Sequence, residues 1–199
     1  MSLVNIDWLE KNLNKVKIID CSWHMPQTKR DGFEEYQKSH IENAIFFDLD
    51  KNSKIDTELP HMLPDIKSWK KIVSSMGIKN EDQIIIYDNS DVISSCRCWY
   101  SFIYFGHDPD LVHVLDGGLK KWISEKKPTV NDLTKTISSD YIVSEKKELV
   151  KDKEQIDENV VFTCGSGITA SVLALAYSLI DIKYKPIIYD GSWSEYGNN

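Results

Sequence analysis

Arginine is almost absent from this chain of 199 residues: only Arg30 and Arg97 are arginines, and the other basic residues are lysines. Few planar guanidinium groups are therefore available to bind an anion through two hydrogen bonds. The 24 basic residues are outnumbered by 31 acidic residues, which gives a net charge of −7. Because this balance is unfavourable for binding polyanions, we predict that the chain binds neither nucleic acid nor a membrane.

The chain also lacks a long hydrophobic run and paired cysteines. Its longest apolar stretch, residues 172–180, is interrupted by Ser178 and is too short to span a bilayer. Residues 1–10 have no basic start and no apolar run, so they do not resemble a signal peptide. The four cysteines have neither the density of a disulfide framework nor the C-x-x-C spacing of a zinc site. We therefore expect a protein of the cytoplasm that holds no metal and no cofactor.

Short β-rich apolar runs alternate with helical patterns along the chain, which is typical of a parallel α/β fold. Strands are predicted at residues 16–20, 44–47, 83–87, 112–115, 160–163 and 186–189. Helices are predicted at residues 7–13, 32–39, 66–76, 93–105, 119–125, 144–151 and 168–180. Asp65 and Ser68 provide N-cap chemistry for one of these helices. The predicted fold class is α/β, a parallel sheet flanked by helices.

An internal repeat relates residues 83–118 to residues 159–192. Each copy reads as a strand, a short polar loop, a long helix, a second strand and then Asp-Gly. In this pairing Asp88 stands where Cys164 stands. Only the second copy therefore has a thiol at the turn from strand to helix.

The second copy of the repeat is preceded by fewer predicted elements than the first copy. Two predicted strands and their helices precede the first copy, whereas only residues 141–158 lie between the second copy and a polar stretch with linker composition. We therefore predict a complete first domain (1–127), a linker (128–140) and a partial second domain (141–199). A partial domain exposes apolar surface and unpaired backbone, so self-association through it is also predicted.

The sequence Cys-Gly-Ser-Gly-Ile-Thr, which begins at Cys164, follows a predicted strand and opens a predicted helix. Backbone N–H groups at a helix start have no intrahelical partner, and they stabilise a thiolate together with the helix dipole. Gly165 and Gly167 allow the loop to curl around the sulfur, while Ser166 and Thr169 add hydroxyl donors. A small buried cysteine in a tight turn is the alternative interpretation. The adjoining Gly-Ser-Gly and the helix favour a reactive thiol.

Two other loops of this general shape are excluded by missing residues. A phosphate-binding loop requires the lysine of GxxxxGK[ST], which is absent. A cysteine phosphatase places an arginine six residues after its cysteine, and here that position is Ala170. Without that arginine a phosphate dianion has no bidentate partner.

The segment CGSGITAS resembles the active-site loop of 3-mercaptopyruvate sulfurtransferases, two-domain members of the rhodanese superfamily. Further similar segments are DCSWHMP (20–26), HIENAIFFDLD (40–50), LPHMLP (59–64), VLDGGLKKW (114–122) and YDGSWSEYG (189–197). The resemblance covers most of the chain. It implies a rhodanese-like fold, in which a catalytically silent first domain precedes a catalytic second domain.

The resemblance also implies a reaction. Cys164 would attack the sulfur of 3-mercaptopyruvate, release pyruvate and pass the sulfur from a persulfide to a thiol, thioredoxin or cyanide. The neutral CGSG loop is similar to that of members using mercaptopyruvate, whereas thiosulfate-preferring members look like CRKG. Ser166, His61 and Asp50 match the family's proton-handling residues. The implied substrate contacts come from the loop residues Gly165, Gly167, Ile168 and Thr169.

An alternative role for His61 is that of a polar interdomain residue that caps a turn before Pro64. The chain also departs from the family pattern. The second domain of the family begins with an Asp-Ala-Arg strand end, a second arginine and a His-Ile-Pro-Gly-Ala turn, and residues 141–162 contain no counterpart. Two hypotheses follow: a sulfurtransferase that still forms a persulfide, or a non-catalytic remnant that acts as a sulfur-binding module.

Overall fold

In the computed structural model, residues 2–152, 161–180 and 186–197 are described, and they contain two parallel sheets. The strands of the first sheet are β1 (Leu3–Val4), β2 (Lys17–Asp20), β3 (Ala44–Phe46), β4 (Ile84–Tyr87) and β5 (Val112–Leu115). They pair in the order β1-β5-β4-β2-β3. The strands of the second sheet are β6 (Val150–Lys151), β7 (Val161–Phe162) and β8 (Ile187–Tyr189). Their order is β6-β8-β7.

Seven α-helices are present in the described part of the chain. They are α1 (Ile6–Glu10), α2 (Gly32–Lys38), α3 (Ile66–Ser75), α4 (Ser95–Tyr104), α5 (Gly118–Ser124), α6 (Ala170–Ile180) and α7 (Ser192–Tyr196). Each predicted strand has a counterpart, although Val160 lies outside the described residues. The N-cap predicted for α3 is confirmed, because the backbone N–H of Ser68 donates to Asp65 Oδ1 at 2.8 Å. No described helix has the length and apolar content that crossing a membrane requires.

Helix α4 lies at the centre of a hydrophobic core that both sheets share. On one side, Trp69 of α3 packs against Phe102 and Phe105, with ring centroids 5.0 and 4.6 Å apart. On the other side, the hydroxyl of Tyr100 donates to the carbonyls of Leu149 and Pro186, which flank the second sheet. Burial of this apolar surface joins the two halves of the molecule, because residues of both halves belong to one hydrophobic cluster.

The predicted linker makes backbone contacts with the first domain. Val130 forms an antiparallel bridge with His40, and the backbone N–H of Ser139 donates to the carbonyl of Ser74 at 2.9 Å. Residues 128–140 therefore run along the surface of the first domain, held by backbone hydrogen bonds. The domain boundaries themselves stay a prediction.

The helix predicted at residues 144–151 is wrong. The backbone N–H groups of Ser144 and Lys146 donate to the carbonyls of Phe105 and Tyr104, at 3.0 and 2.8 Å. These contacts with the end of α4 hold the segment extended, so its N–H groups are not available for helical bonds. A short 3₁₀ turn, Lys147–Leu149, leads from here into β6.

Candidate functional site

Cys164 lies just beyond the carboxyl end of β7, and α6 begins at Ala170. Its backbone is held by α7, because the N–H of Trp193 donates to the Cys164 carbonyl at 2.9 Å. The next loop carbonyl, that of Gly165, accepts hydrogen bonds from the N–H and the hydroxyl of Ser194, at 3.0 and 2.6 Å. The thiol is only partly buried, so a small molecule can reach it. Helix α7 therefore holds the backbone of the loop in place.

The loop stabilises the thiolate form of Cys164. Burial of the sulfur opposes ionisation, but hydrogen bonds outweigh it and hold the pKa of Cys164 below its usual value. The donors are the hydroxyl of Thr169 and the backbone N–H groups of Ala170, Ser166 and Thr169. Because these groups point at the sulfur before any reaction occurs, they also suit the anion of a persulfide.

The two glycines of the loop differ in what the structure requires of them. Gly167 has a φ of +81°, and a Cβ there would come within 3.1 Å of the Arg97 side chain. Only glycine fits this conformation and space. Gly165 has open space around the direction of a Cβ and no left-handed φ. The sequence analysis assigned the curl of the loop to both glycines, and the structure requires a glycine only at position 167.

Ile168 and Thr169, the last two residues of the loop, differ in burial. The Ile168 side chain is buried in the shared core, so the predicted contact between this side chain and a substrate is wrong. Thr169 is exposed, and its hydroxyl bonds to the sulfur. Ile168 anchors the loop to the core, because its burial opposes movement of the neighbouring Thr169.

His61 reaches Ser166 across the interface between the two halves. Its Nδ1 lies 2.8 Å from Ser166 Oγ, and its Nε2 lies 2.9 Å from Asp50 Oδ1. Asp50 as a carboxylate only accepts, so a neutral His61 carries its hydrogen on Nε2 and accepts the Ser166 hydroxyl at Nδ1. The structure thus brings Ser166, His61 and Asp50 into one hydrogen-bonded chain, which begins in the Cys164 loop.

Asp50 and Trp23 shape the outer end of this chain. The hydrogen bond from His61 lowers the pKa of Asp50, burial opposes this, and the indole N–H of Trp23 adds a second donor at 3.0 Å. The Trp23 ring also packs edge-on against the His61 ring, with centroids 4.8 Å apart. The Asp50 side chain is 65% exposed and that of His61 8%, so solvent screens their attraction. Asp50 and Trp23 therefore act mainly by orienting His61.

Trp23 and Arg97 were missed as site residues by the sequence reasoning. Trp23 belongs to the DCSWHMP segment, which carried the family resemblance without indicating a role for this side chain. Arg97 was noted only as one of the two arginines of the chain. In the structure its Nη2 donates to the His61 carbonyl at 2.7 Å and to Asp190.

The Arg97 contact supports an unusual backbone conformation. His61 has a φ of +58°, a left-handed value that is uncommon for a residue other than glycine. Asp190 holds the same turn from its other carboxylate oxygen, which accepts the Leu63 N–H at 2.8 Å. Arg97 and Asp190 together therefore hold the His61 turn against the Cys164 loop.

Comparison with known proteins gives the family. A family model described as a rhodanese-like domain matches residues 5–125. The chain belongs to the rhodanese family. Its first domain is the matched rhodanese-like domain, and the Cys164 loop lies outside the matched residues.

Curated rhodanese relatives are longer than this chain. The protein named thiosulfate/3-mercaptopyruvate sulfurtransferase 1, mitochondrial, from Arabidopsis thaliana is 45% identical over 122 residues, which are 60% of this chain and 32% of that relative. The 3-mercaptopyruvate sulfurtransferase of Rattus norvegicus is 30% identical over 167 residues, 80% of this chain and 56% of the relative. The chain thus spans between about a third and somewhat over half of these relatives.

Solved rhodanese structures confirm the predicted fold. The structure of SseA from Escherichia coli matches with a TM-score of 0.86 at 22% identity, covering 97% of this chain and 99% of that one. The 3-mercaptopyruvate sulfurtransferase from Leishmania major matches with a TM-score of 0.85 at 18% identity, covering 98% and 74%. These likenesses show the α/β rhodanese fold that the alternation of strands and helices predicted.

The first rhodanese domain has a carboxylate where the second has a thiol. Asp88 accepts the backbone N–H groups of Ser90 and Ser95, each at 2.8 Å, in the geometry in which the Cys164 loop surrounds its sulfur. Burial raises the pKa of Asp88, and the N–H donors oppose this only in part. The first loop therefore offers no sulfur nucleophile, which agrees with the silent domain that the resemblance implied.

The Thr169 hydroxyl can be tested as a donor to the sulfur. We expect Thr169→Val to raise the pKa of Cys164, because valine keeps the side-chain shape and removes the hydroxyl. The pH dependence of Cys164 alkylation reports this pKa, since the thiolate is the reactive form. The midpoint should move to higher pH in Thr169→Val and stay in place in Thr169→Ser. An unmoved midpoint in the valine variant would show that backbone donors alone hold the thiolate.

Proposed function

We propose that this chain is a sulfurtransferase that takes sulfur from 3-mercaptopyruvate as a persulfide on Cys164 and passes it to a thiol or thioredoxin acceptor. The observation that carries the proposal is the 2.8 Å contact between His61 and Ser166, in the loop that lowers the pKa of Cys164. A nucleophile and a proton-handling chain then lie in one place. The curated relatives whose names include 3-mercaptopyruvate sulfurtransferase support the choice of donor.

The first step of the proposed reaction forms a persulfide on Cys164. The Cys164 thiolate attacks the thiol sulfur of 3-mercaptopyruvate, a new S–S bond forms, and the C–S bond breaks. The electron pair of the broken bond goes to the departing carbon, which leaves as the enolate of pyruvate. The Ser166 hydroxyl supplies the proton that converts the enolate to pyruvate, and the proton of the donor thiol, released as the persulfide anion forms, replaces it through His61. In the second step an acceptor thiolate attacks the outer sulfur and restores the Cys164 thiolate.

The two arginines of the chain are both engaged in contacts within the protein. Arg97 is fully engaged at Nη2 by Asp190 and the His61 carbonyl, and its side chain is 1% exposed. Arg30 pairs with Glu35 through two hydrogen bonds of 2.7 and 2.8 Å. Neither arginine of the chain is therefore placed to bind a substrate carboxylate in the bidentate manner. This favours slow turnover, since a lost carboxylate contact weakens both binding and orientation.

The same observation supports a second candidate function, a sulfur-binding module without turnover. The hydrogen-bond donors of the loop stabilise any anion at the position of the Cys164 sulfur. This stabilisation does not require an arginine that binds a substrate carboxylate. Such a module would accept a persulfide sulfur and hold it. The two functions differ in whether pyruvate is released repeatedly.

Pyruvate release from 3-mercaptopyruvate with a small thiol as acceptor tests the proposal directly. We expect repeated turnover by the unsubstituted chain and none by Cys164→Ser. When thiosulfate replaces the donor, we expect no release of sulfite, which is the product that thiosulfate would leave. Mass spectrometry after incubation without acceptor should show one added sulfur on the Cys164 peptide. An added sulfur without turnover would establish the binding module, and a folded protein that showed neither would contradict both functions.

A further inference from the structure

A cavity of about 250 Å³ lies at the carboxyl ends of β4 and β5, the edge at which open α/β sheets bind ligands. None of its described lining residues belongs to the Cys164 loop, so it is separate from the candidate active site. Both halves of the molecule contribute to its wall. The apolar lining residues are Leu3, Ile93, Val114, Leu115, Val172 and Leu175.

Three charged residues also line this cavity, and only Asp88 among them lacks a counter-charge. Asp116 pairs with Lys121 at 2.7 Å, and Lys120 pairs with Asp91. In the described part of the chain no cation forms an ion pair with Asp88, which is only 7% exposed. A buried carboxylate is normally paired with a cation, because burial removes the water that stabilises its charge. Asp88 is therefore available to a cationic ligand.

The carboxylate of Asp88 can accept one further hydrogen bond. The backbone N–H groups of Ser90 and Ser95 donate to its two oxygens, and the Ser95 hydroxyl is a third donor. A carboxylate has about four acceptor positions, so about one remains. The thiol of Cys96, which also lines the cavity, adds no second charge, because burial raises its pKa to about 12.

We propose that this cavity binds a small aliphatic ammonium ligand, whose nitrogen donates to Asp88 and whose carbon chain packs against the apolar wall. The ammonium group supplies both the missing charge and the missing donor. The volume lies below the roughly 300–1,000 Å³ of sites for drug-sized molecules, so the carbon chain is short. This site is independent of sulfur transfer at Cys164.

Two other classes of ligand do not fit the cavity. A metal ion needs several ligating side chains, and no cluster of three or more His, Cys, Asp or Glu residues able to hold one is found among the described residues. An anion would need the N–H groups of Ser90 and Ser95, and these already donate to the Asp88 carboxylate.

An NMR titration of the intact chain with n-butylammonium tests this proposal. The titration is done at mildly alkaline pH, so that Asp88 is ionised while an alkylamine stays protonated. n-Butanol has the same carbon chain without the charge, and n-butyrate has the opposite charge. Both should bind roughly 10- to 100-fold more weakly, the effect of one hydrogen bond to a charged group. Equal binding of all three compounds, or no binding of n-butylammonium, would overturn the proposal.

Two variants place the ligand in this cavity. Asp88→Asn removes the charge and should weaken n-butylammonium binding by the same factor. Val172→Phe fills the cavity from α6, leaves the Asp88 loop unchanged and should abolish binding. Circular dichroism checks that both variants are folded. Unchanged binding in the two folded variants would contradict the site.

Asp116 provides the matched control. It lines the same cavity, but Lys121 already neutralises its charge and its side chain is 54% exposed. Asp116→Asn should therefore bind n-butylammonium as the unsubstituted chain does, because solvent screens the exposed pair. A loss of binding in Asp116→Asn as large as that in Asp88→Asn would overturn the role of Asp88 as the partner of the ammonium group.

Discussion

Replacing His61 with alanine is expected to lower pyruvate release from 3-mercaptopyruvate by roughly 10²–10⁴-fold, the usual contribution of a positioned acid–base group. The reason is that His61 orients the Ser166 hydroxyl, which is the proposed proton donor to the enolate. His61 Nδ1 accepts the Ser166 hydroxyl at 2.8 Å, and Nε2 is held by Asp50 at 2.9 Å. Initial rates at saturating donor measure this loss, while Cys164 alkylation confirms that the nucleophile is intact.

Two further variants separate a relay from a packing defect. Ser166→Ala should lose about as much activity as His61→Ala, and the double variant should be little worse than either, because groups that act as a unit are not additive. Asp50→Asn should lose less, since Asp50 is largely exposed and mainly orients the ring. Additive losses at His61 and Ser166, or an unchanged rate in His61→Ala, would contradict the relay.

Replacing Arg97 with methionine is expected to reduce the free energy of unfolding by roughly 3–5 kcal/mol, the range observed when one partner of a buried ion pair is removed. Arg97 and Asp190 are both buried, and methionine would leave the Asp190 carboxylate without its counter-charge. The His61 carbonyl would also lose its donor. Urea unfolding at neutral pH measures the change, and pyruvate release should fall with it because the His61 turn is released.

An exposed ion pair provides the control for this prediction. Lys121 and Asp116 are 2.7 Å apart with both side chains well exposed, so Lys121→Met should cost less than about 1 kcal/mol. Adding Asp190→Asn to Arg97→Met should recover part of the loss, since the buried charge is then removed. Equal small effects at Arg97 and Lys121 would show that the buried pair contributes no special stability.

The sequence predicted most of the secondary structure because buried parallel strands and amphipathic helices have local patterns. The run Ile84–Tyr87 is fully buried as its composition indicated, and the Asp65 cap lies where predicted. The prediction of a helix failed at residues 144–151. Backbone N–H groups of this segment donate to carbonyls at the end of α4, and these bonds replace the helix that the composition indicated. Local propensity carries no information about such a distant partner.

At the candidate site the sequence indicated residues more reliably than roles. Cys164 and its loop follow from a strand, a glycine-rich turn and a helix in succession, all of which are local. His61 and Asp50 entered only through family resemblance, and the structure brings both to Ser166. Their roles in proton transfer stay a prediction, as does the cytoplasmic location. Arg97 could not be predicted as a support of the His61 turn, because Asp190 lies far from it along the chain.

What the sequence by itself determined is the rhodanese class, the single thiol at a strand-to-helix turn, and the shortage of chain before the second copy of the repeat. Each depends on the order and spacing of neighbouring residues. The tertiary structure alone decided that Gly167 and not Gly165 must be glycine, that Ile168 packs inward, and that Arg97 supports the His61 turn. These depend on which surfaces meet across the fold, and packing between distant segments is not encoded in any short stretch of sequence.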